Sequence, residues 1–325
     1  MRWRLAKGTY SLARFLGRRL GLLLLTLWLM SILVFVVTSV LPGNVAQTIL
    51  GRNATPGQVA ALQRQLDLDH PPHVLYLRWI TGFVTGNWGD SHSLQLPISS
   101  VLPNRLFNSL VLAVASLVAI VPLSIAFGTL AALRQDRFTD RMISVAGLSL
   151  MAVPEFVSGI ILLTVFGIWL KWLPTTSVAA GGNPLTTPQY VVLPVLTLSI
   201  VFFGYVSRMM RASTIAVLNS AYIRTATLKG LPRRQVLLRH VLRNALVPTI
   251  TVVMSSIGYL VGGLVIVESL FGYPGLGGLL LYAGLHHDVP LLEACAMIVA
   301  VMYMGGNLMA DLLYAYLNPQ IRYAS

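Results

Sequence analysis

Long apolar runs alternate with short polar segments from one end of the chain to the other. Six runs are long enough to cross a membrane, at 21-41, 107-132, 142-171, 190-206, 245-267 and 291-316. A hydrocarbon core about 30 Å thick needs roughly 20 apolar residues in a helix, because each residue advances it by about 1.5 Å. The fourth run is the shortest and is expected to continue as helix into the polar segment after Gly204. The pattern predicts an all-α fold, a polytopic transmembrane helical bundle of six spans.

The segment 42-106 is too long for a turn between spans. Thr55 caps a helix with Pro56 at its first position, and Val59, Leu62 and Leu66 share one face. Pro71 and Pro72 stop that helix and open another over His73 to Gly82, with Leu75, Tyr76, Trp79 and Ile80 near one stripe. The run Gly86 to Ser91 reads as a turn. Two small helices packed on the outer mouth are expected.

Composition agrees with a membrane chain: 56% of residues are hydrophobic and 10% charged, against roughly 45–50% and 25% in a soluble domain. The net charge of +13 is distributed unevenly. Segments 1-20, 133-141, 207-244 and 317-325 hold 18 of the 23 basic residues, while Arg52, Arg64, Arg78, Arg105 and Lys171 fall on the other side. The positive-inside rule then puts both termini and 207-244 in the cytoplasm, as an even number of spans requires. No nucleic acid is needed to explain this charge. The basic start before 21-41 resembles a signal peptide, but the run exceeds the h-region length of about 7–15 residues, so a retained signal-anchor is expected. Cys295 lies in an apolar run and reads as inert packing.

The least membrane-like stretch runs from Ala221 to Pro248. Asn219 or Ser220 is placed to cap a helix Ala221-Lys229, and Gly230 with Pro232 stops it. A second helix begins near Arg233, and its basic face continues through Arg239, His240 and Arg243 into the fifth span. This is a short peg joined to a span by a stiff corner. Topology and anionic headgroups account for the charge equally well; the order of helix, Gly, Pro and basic helix is what points to a docking site.

These residues resemble a family. The run RTATLKG followed by LLRHVLRNALVP is similar to the coupling loop of permease subunits of binding-protein-dependent ABC importers, in the branch that carries dipeptides, oligopeptides and nickel. The resemblance extends through LPGN at 41-44, Leu66-Asp67-Leu68-Asp69, Tyr76 to Trp79, GNWGDS, Pro154 with Phe156, and VESLFGYPGLGGLL at 267-280. Two departures stand out. Arg224, Thr225 and Ala226 replace the Glu-Ala-Ala of the wider pattern, as is usual in the peptide branch, and Asn44 stands where an aspartate is more frequent.

The resemblance implies a type I ABC importer permease fold in the bacterial cytoplasmic (inner) membrane. It divides the chain into a cytoplasmic basic N-terminus 1-20, a permease domain 21-316 with external segment 42-106 and coupling loop 207-244, and a tail 317-325. It implies as partners a second homologous permease, two cytoplasmic ATPases, an external substrate-binding protein and membrane lipid. Ala221, Tyr222, Ile223, Arg224, Thr225, Ala226, Lys229, Gly230 and Leu231 would sit in a groove of an ATPase. Independently, the chain has no G-x-x-x-x-G-K-[ST], and Lys7, Lys171 and Lys229 all lack that context. No enzyme activity and no cofactor are expected in this chain; ATP and Mg would be bound by the partner ATPases.

Glu155 falls near the middle of the third span. A charge there costs about 2.5–3.5 kcal/mol on insertion scales. It can meet a substrate amine or a metal along the path, or be a protonated acid bonded to a neighbouring helix or to the partner permease. Glu268, Gly272, Pro274, Gly275 and Gly277 form a rigid turn at the outer mouth, read as an outer gate or a binding-protein contact. Asn307 and Asp311 read as an interhelical contact, and Gly258 with Gly262 as a close-approach pair. His70 with His73, and His286 with His287 and Asp288, lack metal-ligand spacing, so no metal is expected. An ion-gradient-driven secondary transporter is the rival reading, then a membrane-embedded enzyme. No inverted repeat and no catalytic constellation supports either.

Overall fold

The computed structural model describes residues 3–40, 55, 57–58, 70–177 and 187–317. The described residues are helical almost throughout. Helix α1 (Trp3–Val40) carries the first span and leaves Leu22, Leu24, Leu29, Leu33 and Val37 exposed. Lipid tails are as apolar as these side chains, so facing lipid costs them nothing. Its contacts with the last helix, α11 (Val289–Leu317), include a Thr38 hydroxyl that donates to Glu293 at 2.6 Å. Arg19 meets Asp311 at 2.9 Å, making the interhelical polar contact expected of Asp311.

The outer segment contributes α2 (Pro72–Thr85), opened by proline and closed by Gly86 at φ +82°. A hydrogen bond of 2.8 Å joins Ser31 of α1 to Tyr76, and Phe35, Tyr76, Trp79, Phe83 and Trp88 form a continuous ladder of rings. The turn predicted at Gly86 to Ser91 leads into a hairpin, β1 (Asp90–Ser91) against β2 (Leu96–Pro97). Two-residue strands carry no hydrophobic period to read. Upstream, Thr55 and Gln58 bond reciprocally as a capping box does, with the Gln58 N–H 3.4 Å from Thr55 Oγ1 and the Thr55 N–H 2.9 Å from Gln58 Oε1. The remainder of that predicted helix (Val59, Leu62, Leu66), the 41-44 motif, Leu66 to Asp69 and the tail after Leu317 lie outside the described residues.

The centre of the bundle is α3 (Ile98–Leu133) packed along α6 (Val192–Leu218). They cross closely at Gly128, where a Cβ would lie 2.5 Å from the Ser207 carbonyl oxygen. As expected, the fourth span continues well past Gly204, so residues 207–218 are helix and the connection to the next span is short.

The third and fifth predicted spans are each interrupted. The third is α4 (Phe138–Ala152) and α5 (Glu155–Trp169), bent by 106°. Pro154 has no N–H to donate and pushes Val153 to an extended ψ of 126°, so the helix stops and restarts. Leu163–Trp169 at the end of α5 winds as a π-helix. The fifth divides at Ser256 between α8 (Arg233–Ser255) and α9 (Ile257–Phe271). There the hydroxyls of Ser255 and Ser256 bond back to the carbonyls of Thr251 and Val252, which competes with regular winding. A turn bent by 71° links α9 to α10 (Leu276–Leu285). Among the described residues five helices are long and apolar enough to cross a membrane, and up to seven spans result if each bent pair counts as one, a range that accommodates the six predicted.

Among the described residues, two apolar cores hold the bundle together, beside a smaller cluster at residues 217–241. One, including Leu112, Leu198, Phe202, Leu260, Leu264 and Phe271, joins α3, α6 and α9. The other, including Ile98, Leu102, Leu276, Leu291 and the fully buried Cys295, joins the start of α3 to α10 and α11.

Candidate functional site

The peg forms where the residue order places it, as α7 (Ala221–Leu228). Its end is a Schellman motif: the Gly230 N–H donates to the Thr227 carbonyl and the Leu231 N–H to the Ala226 carbonyl. Gly230 sits at φ +77°, a region that a side chain makes costly. The start differs from expectation. Ser220 occupies the cap position, yet its hydroxyl turns back to the Val217 carbonyl at 2.5 Å instead of capping α7.

Pro232 ends the linker and α8 begins at Arg233, with a π turn over Val236–Val241. Ile223 and Ala226 on the inner face of α7 are buried against Val236 and Val241, with Val217, Leu218, Leu231 and Leu237 around them. The peg is therefore fixed to the end of α6 and the start of α8 together. Its other face presents Tyr222, Arg224, Thr225, Leu228 and Lys229 to solvent, and Leu228 is 83% exposed. An apolar side chain so exposed on a basic surface is suited to a pocket on another protein. Tyr222 also accepts from Asn244 Nδ2 at 3.1 Å, a second tie to α8.

The outer turn requires a correction. Glu268 is fully buried, so it cannot touch a binding protein. Its Oε1 accepts from the Ser109 hydroxyl at 2.5 Å, and its Oε2 from the backbone N–H groups of Gly277 at 2.6 Å and Gly278 at 3.3 Å. A carboxylate at the first N–H groups of a helix satisfies orphan donors, so Glu268 anchors α10 to α9 and α3. Gly275 and Gly277 are buried as well, because a Cβ on Gly275 would collide with the Glu268 carboxyl and one on Gly277 with Val265. Asn108 Nδ2 donates to the Pro274 carbonyl at 2.8 Å and leaves Pro274 half-buried. Only Gly272, at φ +60°, is open to the surface.

Asp288 anchors the same end. Its Oδ2 accepts from the Ser91 hydroxyl at 2.5 Å, the Ser93 hydroxyl at 2.6 Å and the Ser93 N–H at 2.9 Å, while Oδ1 faces the Leu291 N–H at the start of α11. Burial pushes its pKa up, but these donors outweigh that and hold it below the ordinary value. His286 stacks on Tyr282 with ring centroids 3.9 Å apart. Among the described residues no three His, Cys, Asp or Glu side chains converge as metal ligands.

Glu155 opens α5 directly after the break at Pro154 and is 6% exposed. Its carboxylate lies against α9 at Gly263, where a Cβ would come within 2.5 Å of Oε2. Of the glycine pair expected in close contact, Gly258 does pack on the Tyr303 ring, while Gly262 has nothing nearby. The glycine that admits Glu155 is the adjacent Gly263. One further group escaped the sequence: Asp140 of α4 makes a paired ion bridge to Arg211 of α6, at 2.5 and 2.6 Å. Their separation along the chain left no local signal.

Comparison with known proteins agrees with this architecture. Residues 124–323 match the family model described as the binding-protein-dependent transport system inner membrane component, and 12–98 match its N-terminal companion. A glutathione transport system permease protein of Salmonella paratyphi A is 35% identical over 314 residues, spanning 97% of this chain and 99% of that protein. Its counterpart in Salmonella typhimurium is 34% identical over the same coverage. A probable peptide ABC transporter permease protein of Sinorhizobium fredii is 34% identical over 309 residues, 94% of this chain and 98% of that protein. The chain belongs to the binding-protein-dependent transport inner-membrane component family: it is a multi-pass ABC importer permease, not an enzyme, on the branch that includes glutathione and peptide permeases.

Proposed function

We propose that this chain forms half of the import path for peptides or peptide-like solutes, glutathione among the candidates, and is driven through α7. Importers of this family work with an ATPase and a substrate-binding protein. In the proposed assembly a second homologous permease completes the path, two ATPases bind ATP and Mg in the cytoplasm, and both termini lie on that side. The external binding protein delivers the solute at the mouth near Gly272. Ala221 to Leu231 seats in a groove of one ATPase, and closure of the ATPases carries the peg inward.

The observation that carries this reading is the two-sidedness of α7, with Ile223 and Ala226 fixed to the bundle and Leu228 projecting from it. The test replaces Leu228 with cysteine in a Cys295→Ala chain expressed with its partner subunits. Cross-linking from Leu228→Cys should capture an ATPase, with a yield that changes on ATP addition. Uptake of labelled glutathione and of a labelled dipeptide, measured in the same vesicles, reports the solute class. Absence of any cross-link to an ATPase, with ATP-driven uptake intact, would overturn the role of α7.

A further inference from the structure

We infer that Glu155, Tyr205 and Tyr259 form a mid-membrane station for the ammonium group of the passing solute. The inference rests on the chain being an import path, and it adds a chemical selectivity inside the membrane to whatever the binding protein selects. Tyr205 and Tyr303 lie away from the ends of their helices, and Tyr259 away from the ends of the fifth predicted span, where such residues normally anchor at the headgroups. Tyr205 is at the middle of α6, Tyr303 at the middle of α11, and Tyr259 just after the Ser256 break. They are 50%, 41% and 56% exposed. A phenol needs a hydrogen-bond partner that lipid tails do not supply, so this face does not suit the hydrocarbon.

The three residues belong to one face. Tyr259 lies one helical turn before Gly263, against which Glu155 packs; its ring is 6.2 Å from that of Phe202, which lies one turn before Tyr205 on α6, and the neighbouring Gly258 packs on Tyr303. The Pro154 break delivers a carboxylate to this face. Glu155 Oε1 has no hydrogen-bond donor, and no basic side chain pairs with the carboxylate among the described residues. A buried polar atom without a partner is rare and costly, and it is tolerated where a function supplies the partner.

An unpaired acceptor carboxylate beside a tyrosine-bearing face matches one chemical class. An ammonium group donates a charge-assisted hydrogen bond to Glu155 and gains cation–π attraction from the tyrosine rings, whereas the carboxylate end of a peptide is repelled. The free amino group common to peptides fits this site.

The chain's single cysteine makes a direct test practical. In a Cys295→Ala chain with its partner subunits in membrane vesicles, Tyr205→Cys is exposed to two water-soluble methanethiosulfonates, one bearing trimethylammonium and one sulfonate. Rates are normalised to those of a free thiol. The expected result is reaction with both reagents and a preference for the cation of about tenfold, the scale of a nearby charge in a partly dry site. Adding Glu155→Gln should abolish the preference without changing insertion or assembly. A second reporter, Tyr259→Cys, guards against a local fault at the first. No reaction at either reporter means that lipid or the second permease seals this face, and a preference that persists in Glu155→Gln means the acid does not set it; each overturns the inference. ATP-driven uptake by the Cys295→Ala chain, read in parallel, separates these failures from failure of the import reading itself.

Discussion

Glu268 shows what a single residue's sequence context hides. It sits in a glycine-rich strip that reads as exposed turn, yet all three of its hydrogen bonds draw it inside, one from Ser109 far back in the chain. Glu268→Ala removes the acceptor of the Ser109 hydroxyl and of two backbone N–H groups at once. The variant should lose about 1–3 kcal/mol, the cost of an unsatisfied buried group, measured as a lower thermal midpoint of the purified chain in detergent. Asp288 gives a pH-dependent counterpart. Its pKa is depressed in the folded state, so its contribution is fully present above its ordinary value of 3.8 and is lost as pH falls through the lower folded value. The gap in thermal midpoint between wild type and Asp288→Asn should hold constant above pH 3.8 and shrink below it. Gly230, by contrast, was legible from sequence because its role is local: a left-handed cap stops α7 whatever surrounds it.

At the level of elements, hydrophobic runs located the spans but not their interruptions. Pro154 was visible in the third run, yet a proline inside a span can kink it or end it, and only packing decides which. The break at Ser256 had weaker signals still, since serine back-bonding depends on rotamers that sequence does not specify. The peg was the better-marked element, with its stiff corner into the next span, and the packing of its inner face on Val217, Leu218, Val236 and Val241 is the part that sequence left out. Ile223→Ala removes the largest inner contact of α7 and should cost about 2 kcal/mol or more of local seating, as core truncations do. We expect the variant to insert and assemble while ATP hydrolysis proceeds with reduced uptake; Leu228→Ala on the outer face should instead weaken ATPase association. Hydrolysis and uptake assayed in the same proteoliposomes distinguish the two.

For the whole molecule, the all-helical bundle and the transport family were legible because a membrane restricts the chain to few structures, and because charge placement carries topology. Orientation has its own measurement. In the Cys295→Ala background a membrane-impermeant thiol reagent should label Lys229→Cys only from the cytoplasmic side and Lys171→Cys only from outside; the reverse pattern would invert the bundle. The long-range ties, Asp140 with Arg211 and Glu268 with Ser109, were illegible since each joins positions set together only by the completed fold. The two faces of α7 carry a consequence for how such transporters diversify. Attachment to the bundle resides in Ile223, Ala226 and Leu231, with Tyr222 tied to Asn244, and the outward side chains that we propose meet the motor are Arg224, Thr225, Leu228 and Lys229. The two sets share one short helix but no side chains. Substitution on one can proceed without disturbing the other, so a permease can exchange its motor while keeping its bundle, and keep its motor while the bundle adapts to a new cargo.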